Sequence, residues 1–150
     1  MTAPQPTPRP VTGESAAVQS YLGMLQAIIT RMAGNSGNCK TWCISLVSAM
    51  LVVIMDQKSP HYVWIAFIPV LLFLLLDAYY LGQERAFRDV YNHFVAKLHS
   101  GQATDQDLFL IKPMQGFNVV QSLFRATRSF SIYPFYLVLA GVIVIARYLL

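Results

Sequence analysis

The chain has 150 residues, of which 55% are hydrophobic and only 12% are charged, with a formal net charge of +4. That is one domain's worth of protein and too apolar for an ordinary soluble domain, which points to the membrane class. The Lys and Arg residues are spread along the chain without a nucleic-acid motif, which argues against a nucleic-acid partner, and orientation in a bilayer explains them better.

The opening "MTAPQPTPRPVTGES" carries four prolines and no apolar run. A secretory signal peptide needs an apolar stretch there, so no cleavage is expected and residues 1–13 read as a disordered tail on the cytoplasmic side. Residues 14–34 follow a helical period: Val18, Tyr21, Leu22, Leu25, Ile28, Ile29 and Met32 recur at spacings of three and four, with Gln19, Ser20, Gln26 and Arg31 on the other face. This predicts an amphipathic cytoplasmic helix. The next stretch, "AGNSGN", reads as an ordered elbow, because Gly34 and Gly37 permit a turn at a helix end and Asn35, Ser36 and Asn38 can cap exposed backbone groups. Lys40 and Trp42 then mark the inner interface.

The first span is placed at 41–59, around "TWCISLVSAMLVVIM". This apolar run is short, so the helix must borrow polar flanks or thin the bilayer locally. Thr41, Ser45 and Ser48 recur at four and three, and Ser45 with Ala49 makes a small-xxx-small pair. Such residues let membrane helices approach and hydrogen-bond, and the same stripe can face a pore in an oligomer; both readings stay open. After the tight turn "DQKSPH" comes the second span, 61–81, in which "YVWIAFIPVLLFLLLDAYYL" matches the ~20 residues needed to cross a ~30 Å hydrocarbon core. Tyr62, Trp64, Tyr79 and Tyr80 supply interfacial aromatic belts. Asp77 is its notable polar residue. A carboxylate at a helix centre costs about 2.5 to 3.5 kcal/mol to insert, which raises an ion-pathway or gating role; but one turn from Leu81, where water and headgroups are near, it reads rather as an interfacial acid bonded to a Tyr or Arg.

With no proline between Tyr79 and Leu98, the second span is expected to continue into a cytoplasmic helix, 82–100, stopped by Gly101. Phe87, Val90, Tyr91, Phe94, Val95 and Leu98 form one stripe there, with Arg88, Asp89, Asn92, His93 and Lys97 opposite. Phe87, Tyr91, Phe94 and Leu98 are the candidate partner or oligomer surface, to be covered by helix-on-helix packing within the chain or between copies. Residues 101–129 read as a cytoplasmic loop and juxtamembrane helix, with cap-like spacing at Thr104 and Asp107 and a short helix through Leu108 to Ile111. The third span, 130–150, contains Pro134 near its membrane entry, a candidate bend, and Arg147 one turn from its end, able to snorkel.

Placing the N-terminal arm and the segment after the second span in the cytoplasm puts nine of the eleven basic residues inside and leaves only Lys58 and Arg147 outside. The predicted fold is therefore an all-α membrane protein with three transmembrane helices, an N-terminal amphipathic helix and a long cytoplasmic extension of the second span. It would be a multi-pass protein of a bacterial inner membrane, N-terminus cytoplasmic and C-terminus outside.

Cys39 and Cys43 lie one turn apart near the reducing side and read as structural, and His61, His93 and His99 lack metal or catalytic spacing. No phosphate loop, HExxH or serine-elbow motif is present. The expectation is no enzyme, no catalytic residues, no cofactor and no bound metal.

The amphipathic arm, the stretch "RMAGNSGNCKTW", the hairpin of two spans and the long helix after them together resemble small bacterial membrane proteins of antiphage defence islands, SLATT-like in architecture. The stretch itself is similar to the consensus around the first span of small membrane proteins found near TIR-domain genes. The resemblance implies a homo-oligomeric effector that forms pores or disrupts the bilayer when a cytosolic sensor or signalling-enzyme partner is triggered, and it implies no catalytic residue. A third span departs from the two-span pattern. The alternatives are a membrane anchor or scaffold recruiting a cytosolic partner, and an accessory subunit of a larger membrane complex.

Overall fold

The computed structural model describes residues 8–57, 60–111 and 125–149. Among these the chain is all helical: α1 (Ala16–Asp56), a 3₁₀ segment (Pro60–Ala66), α2 (Phe67–His99), a 3₁₀ turn (Asp105–Asp107) and α3 (Tyr133–Leu149). Two helical stretches, Ala16–Asp56 and His61–His99, are long and apolar enough to cross a membrane; α3 is a shorter apolar helix. The contacts divide the chain into two units, the first drawn from residues 1–30 and 84–117 and the second from 31–83 and 118–150.

In the first unit the two predicted stripes meet each other. Val18, Tyr21 and Leu25 of α1 form a buried cluster with Val90 and Phe94 of α2 and with Ala103, and Phe87, Tyr91 and Leu98 pack partly buried against it. The Tyr21 and Phe94 rings meet edge to face at 4.9 Å, a favourable quadrupole geometry. The Tyr21 hydroxyl donates to the Leu110 carbonyl at 3.1 Å, giving its buried polar end a partner. Burial, and then the charge of Asp107, push that phenol up from its ordinary value.

Helix α2 ends at its predicted stop. Gly101 takes φ +71°, its N–H donates to Leu98 at 3.2 Å, and the Gln102 N–H donates to Lys97 at 3.0 Å. This pair of bonds is the Schellman arrangement, which places its left-handed residue just past the helix end, where glycine has no Cβ to clash. The chain then reaches Thr104, whose N–H and hydroxyl both donate to Asp107 at 3.0 Å, while Lys97 Nζ lies 2.8 Å from the other carboxylate oxygen. Burial pushes the Asp107 carboxyl up, but the bonds from Lys97 and Thr104 and the Lys97 charge outweigh it, and the net effect holds it below its ordinary value of 3.8.

Several local expectations are corrected here. Residues 1–13 are not disordered throughout: the Val11 N–H donates to Ala103 at 3.0 Å, the Asp105 N–H to Arg9 at 2.9 Å, and the Arg9 N–H to the Asp105 side chain at 3.0 Å. Val11 also packs on the buried cluster, so one apolar residue and a bridge at Pro10–Thr104 suffice to tie the arm down. Met1–Thr7 lie outside the described residues. The helix expected through Leu108 to Ile111 is replaced by the 3₁₀ turn Asp105–Asp107, after which Leu108 is extended and Phe109 takes φ +61°, a costly conformation accompanied by ring contact with Tyr21. The elbow is absent, because α1 runs through 33–38 without a break. Lys58, Lys112 and the stretch "VVQSLF" also lie outside the described residues.

In the second unit, Cys43, Val47 and Ile54 of α1 meet Val63 and Ala66 of the 3₁₀ segment, Val70, Ala78 and Leu81 of α2, and a stripe that starts at the turn before α3 and continues along it. That stripe, Ile132, Tyr136, Leu139 and Ile143, repeats at four, three and four, the period of a helix presenting one face. The stretch predicted as the second span opens as a 3₁₀ segment rather than an α-helix, and the change to α occurs as Pro69 enters the first turn of α2, where its missing N–H is tolerated. Pro134 likewise is the second residue of α3, so it begins the helix instead of bending it.

Two outcomes are expected of the first unit. Phe94→Ala should cost about 3 to 5 kcal/mol, read as lost hydrogen-exchange protection in residues 16–30 and 84–105. The Asp107 clasp contributes stability at pH above 3.8 and loses it as the pH falls through the lower folded-state value, so Asp107→Asn should flatten the acid limb of a melting-temperature profile.

Candidate functional site

The second unit turns the usual polarity of a folded domain inside out. Leu71, Leu72, Leu75, Leu137 and Val138 are each more than half exposed, while Asp77 has no exposed surface at all. An aliphatic outer surface suits lipid and is rare on a soluble monomer.

Asp77 is held by two residues of α1. Ser36 and Lys40 lie four apart and so on one helix face. The Ser36 hydroxyl donates to Asp77 Oδ1, and Lys40 Nζ lies 2.6 Å from Oδ2 and 3.4 Å from the Ser36 oxygen. The Oδ2 contact is a charge pairing whose angle falls outside a directed hydrogen bond, so Oδ2 is buried with Coulomb attraction as its compensation. The Lys40 side chain is 21% exposed, its amine reaching the carboxylate while part of the chain stays accessible. On the other side Tyr136 of α3 lies within electrostatic reach of Asp77, and its buried hydroxyl makes no hydrogen bond of good geometry among the described residues. Cys39 and Cys43 are buried free thiols on the same face of α1, and Cys43 Sγ contacts the Pro69 carbonyl at 3.9 Å.

A Tyr therefore does lie beside Asp77, as expected, but Ser36 and Lys40 are the groups in close contact with it, Lys40 standing where an Arg was expected. With the helix continuous, Ser36 caps no elbow and its side chain bonds across to α2. The available signal was the i, i+4 spacing of Ser36 and Lys40 beside a chain with one acid in its apolar runs.

The other predicted site residues are elsewhere. Thr41, Ser45 and Ser48 are exposed on the face of α1 away from Cys43 and Val47, and they do not join Asp77. The Ser45 hydroxyl donates to the Thr41 carbonyl at 2.9 Å and the Thr41 hydroxyl to Gly37 at 3.4 Å, bonds that satisfy hydroxyls within their own helix. Phe94 belongs to the interior of the first unit, and Phe87, Tyr91 and Leu98 pack against it partly buried, so α1 covers much of this stripe. Beside them a groove of about 310 Å³ is lined by Gln26, Ile29, Arg88, Tyr91 and Asn92, with Arg88 paired to Glu84 at 2.5 Å. No group of three or more His, Cys, Asp or Glu among the described residues could hold a metal ion.

No protein-family model, curated protein or solved structure matches the chain.

Because removing one member of a buried ion pair strands the other, Asp77→Leu or Lys40→Met alone should destabilise the second unit by about 3 to 5 kcal/mol, whereas the double substitution should recover most of that loss. Thermal melting in one detergent, run as a double-mutant cycle, measures the coupling; additive single effects would show the pair to be independent.

Proposed function

We propose that the chain is an inner-membrane protein that crosses the bilayer three times, N-terminus in the cytoplasm and C-terminus outside, and that copies of it assemble into a membrane-permeabilising effector. The observation that carries the membrane reading is the inverted second unit, with aliphatic side chains outward and the charges of Asp77 and Lys40 paired inward. At 17 residues α3 is about 25 Å long, so local thinning of the bilayer accompanies the third crossing. The orientation rests on the distribution of basic residues.

Assembly is supported by the face of α1 that the protomer leaves uncovered. Thr41, Ser45, Ser48 and Ala49 are all exposed there, small enough for a second helix to approach closely. The same face would line an opening with hydroxyls, while the Asp77–Lys40 pair keeps the resting protomer neutral within the bilayer. A role in bacterial defence or stress, with a cytosolic sensor or signalling enzyme as trigger, rests on the resemblance in "RMAGNSGNCKTW". That likeness is one of sequence, since the stretch is helical here. The scaffold reading has less support, because its docking stripe is packed on α1.

Ser45→Leu should weaken self-association by about 0.6 to 2 kcal/mol per helix contact, read as a shift toward monomer by native mass spectrometry. It should also slow dye release from cells expressing the protein under conditions in which the wild type is toxic. A wild-type chain that is toxic without releasing dye would refute the permeabilising role.

A further inference from the structure

The segment entering α3 is pinned from within. Ala126 and Ile132 have no exposed surface, and the backbone between them closes on itself: the Ser129 N–H donates to Ala126 and the Ile132 N–H to Ser129, both at 2.9 Å, and the Tyr133 N–H donates to Ser129 at 3.1 Å. What this short platform turns outward is of one kind. Arg125 and Arg128, three apart across a single turn and so on one side of it, are both exposed. Phe130 is 84% exposed and Tyr133 48%, and their rings touch edge to face at 6.4 Å. None of the ion pairs among the described residues includes either arginine.

Two exposed guanidinium groups without an ion pair among the described residues, beside two exposed aromatic rings at the start of an apolar helix, have complementary needs. The rings favour the headgroup level of a bilayer, amphipathic at that depth. Guanidinium groups match phosphate oxygens with paired donors in a planar fork. We propose that Arg125, Arg128, Phe130 and Tyr133 form a binding site for anionic phospholipid headgroups of the cytoplasmic leaflet. The site seats the entry of α3 at the bilayer surface, with Ala126 and Ile132 holding the platform rigid behind it. It rests on the membrane reading above and is independent of pore formation.

The test reconstitutes the full chain in vesicles of phosphatidylcholine mixed with phosphatidylglycerol and measures how strongly spin-labelled forms of each lipid are retained at the protein. The wild type should prefer phosphatidylglycerol, and Arg125→Gln and Arg128→Gln should each reduce the preference roughly fivefold, with helicity by circular dichroism unchanged. Arg88→Gln, at a paired arginine of the first unit, should leave it intact. A preference equal in the wild type and in the protein carrying both Arg125→Gln and Arg128→Gln overturns the proposal. So does displacement of the lipid by inorganic phosphate beyond that produced by chloride at the same ionic strength. Release of the wild type by alkaline carbonate sinks the membrane reading and this site with it, whereas a carbonate-resistant chain without lipid preference overturns the headgroup site alone.

Discussion

A carboxylate with no exposed surface must be compensated at once or not ionise, and in this chain Asp77 is compensated by Ser36 and Lys40 from another helix. That requirement reaches back into the local structure of α1. Ser36 and Lys40 can converge on one carboxylate because a helical turn separates them; an elbow at 33–38 would point them apart. The glycines in that stretch cost about 1 kcal/mol each relative to alanine in a helix. Pairing of Asp77 opposes that penalty, and within the protomer a Cβ at either Gly34 or Gly37 would meet nothing among the described residues.

The same pairing arranges the rest of the second unit. With the polar groups of Ser36, Lys40 and Asp77 gathered inside, the outer faces of α2 and α3 are left largely to aliphatic side chains, α1 alone turning Thr41, Ser45 and Ser48 outward, and the unit's own core needs only narrow stripes. Those stripes run at helical period, Cys39, Cys43 and Val47 on α1 and Tyr136, Leu139 and Ile143 on α3. Narrow stripes between helices are what a membrane protein requires, because lipid removes the hydrophobic penalty on everything else. The buried Tyr136 hydroxyl beside Asp77, like Asp77 Oδ2 itself, makes no well-formed hydrogen bond among the described residues. It marks where the third helix approaches the charge pair.

The first unit follows the ordinary rule, burying Tyr21, Leu25 and Phe94 and exposing Arg88, Asp89 and Asn92. Its loop is closed by polar contacts as well as by burial of Ala103: Lys97 and Thr104 on Asp107, and the arm from Arg9 to Val11 on Ala103 and Asp105. These bonds are partly exposed, so they close the loop without contributing much stability individually.

Period and composition alone determined that the chain is helical and apolar, which residues share the stripe from Phe87 to Leu98, and that α2 stops at Gly101, because each of these depends on neighbours within one or two turns. Tertiary structure decided the rest. Whether "AGNSGN" turns or continues depends on a residue forty positions away, since Ser36 bonds to Asp77 across a helix pair. Whether the arm at 9–13 is loose depends on the loop at 103–105, and whether the stripe from Phe87 to Leu98 faces a partner depends on Val18, Tyr21 and Leu25 reaching it first. Glycine, asparagine and serine state only a local cost, and a contact distant in sequence supplies the energy that overrules it.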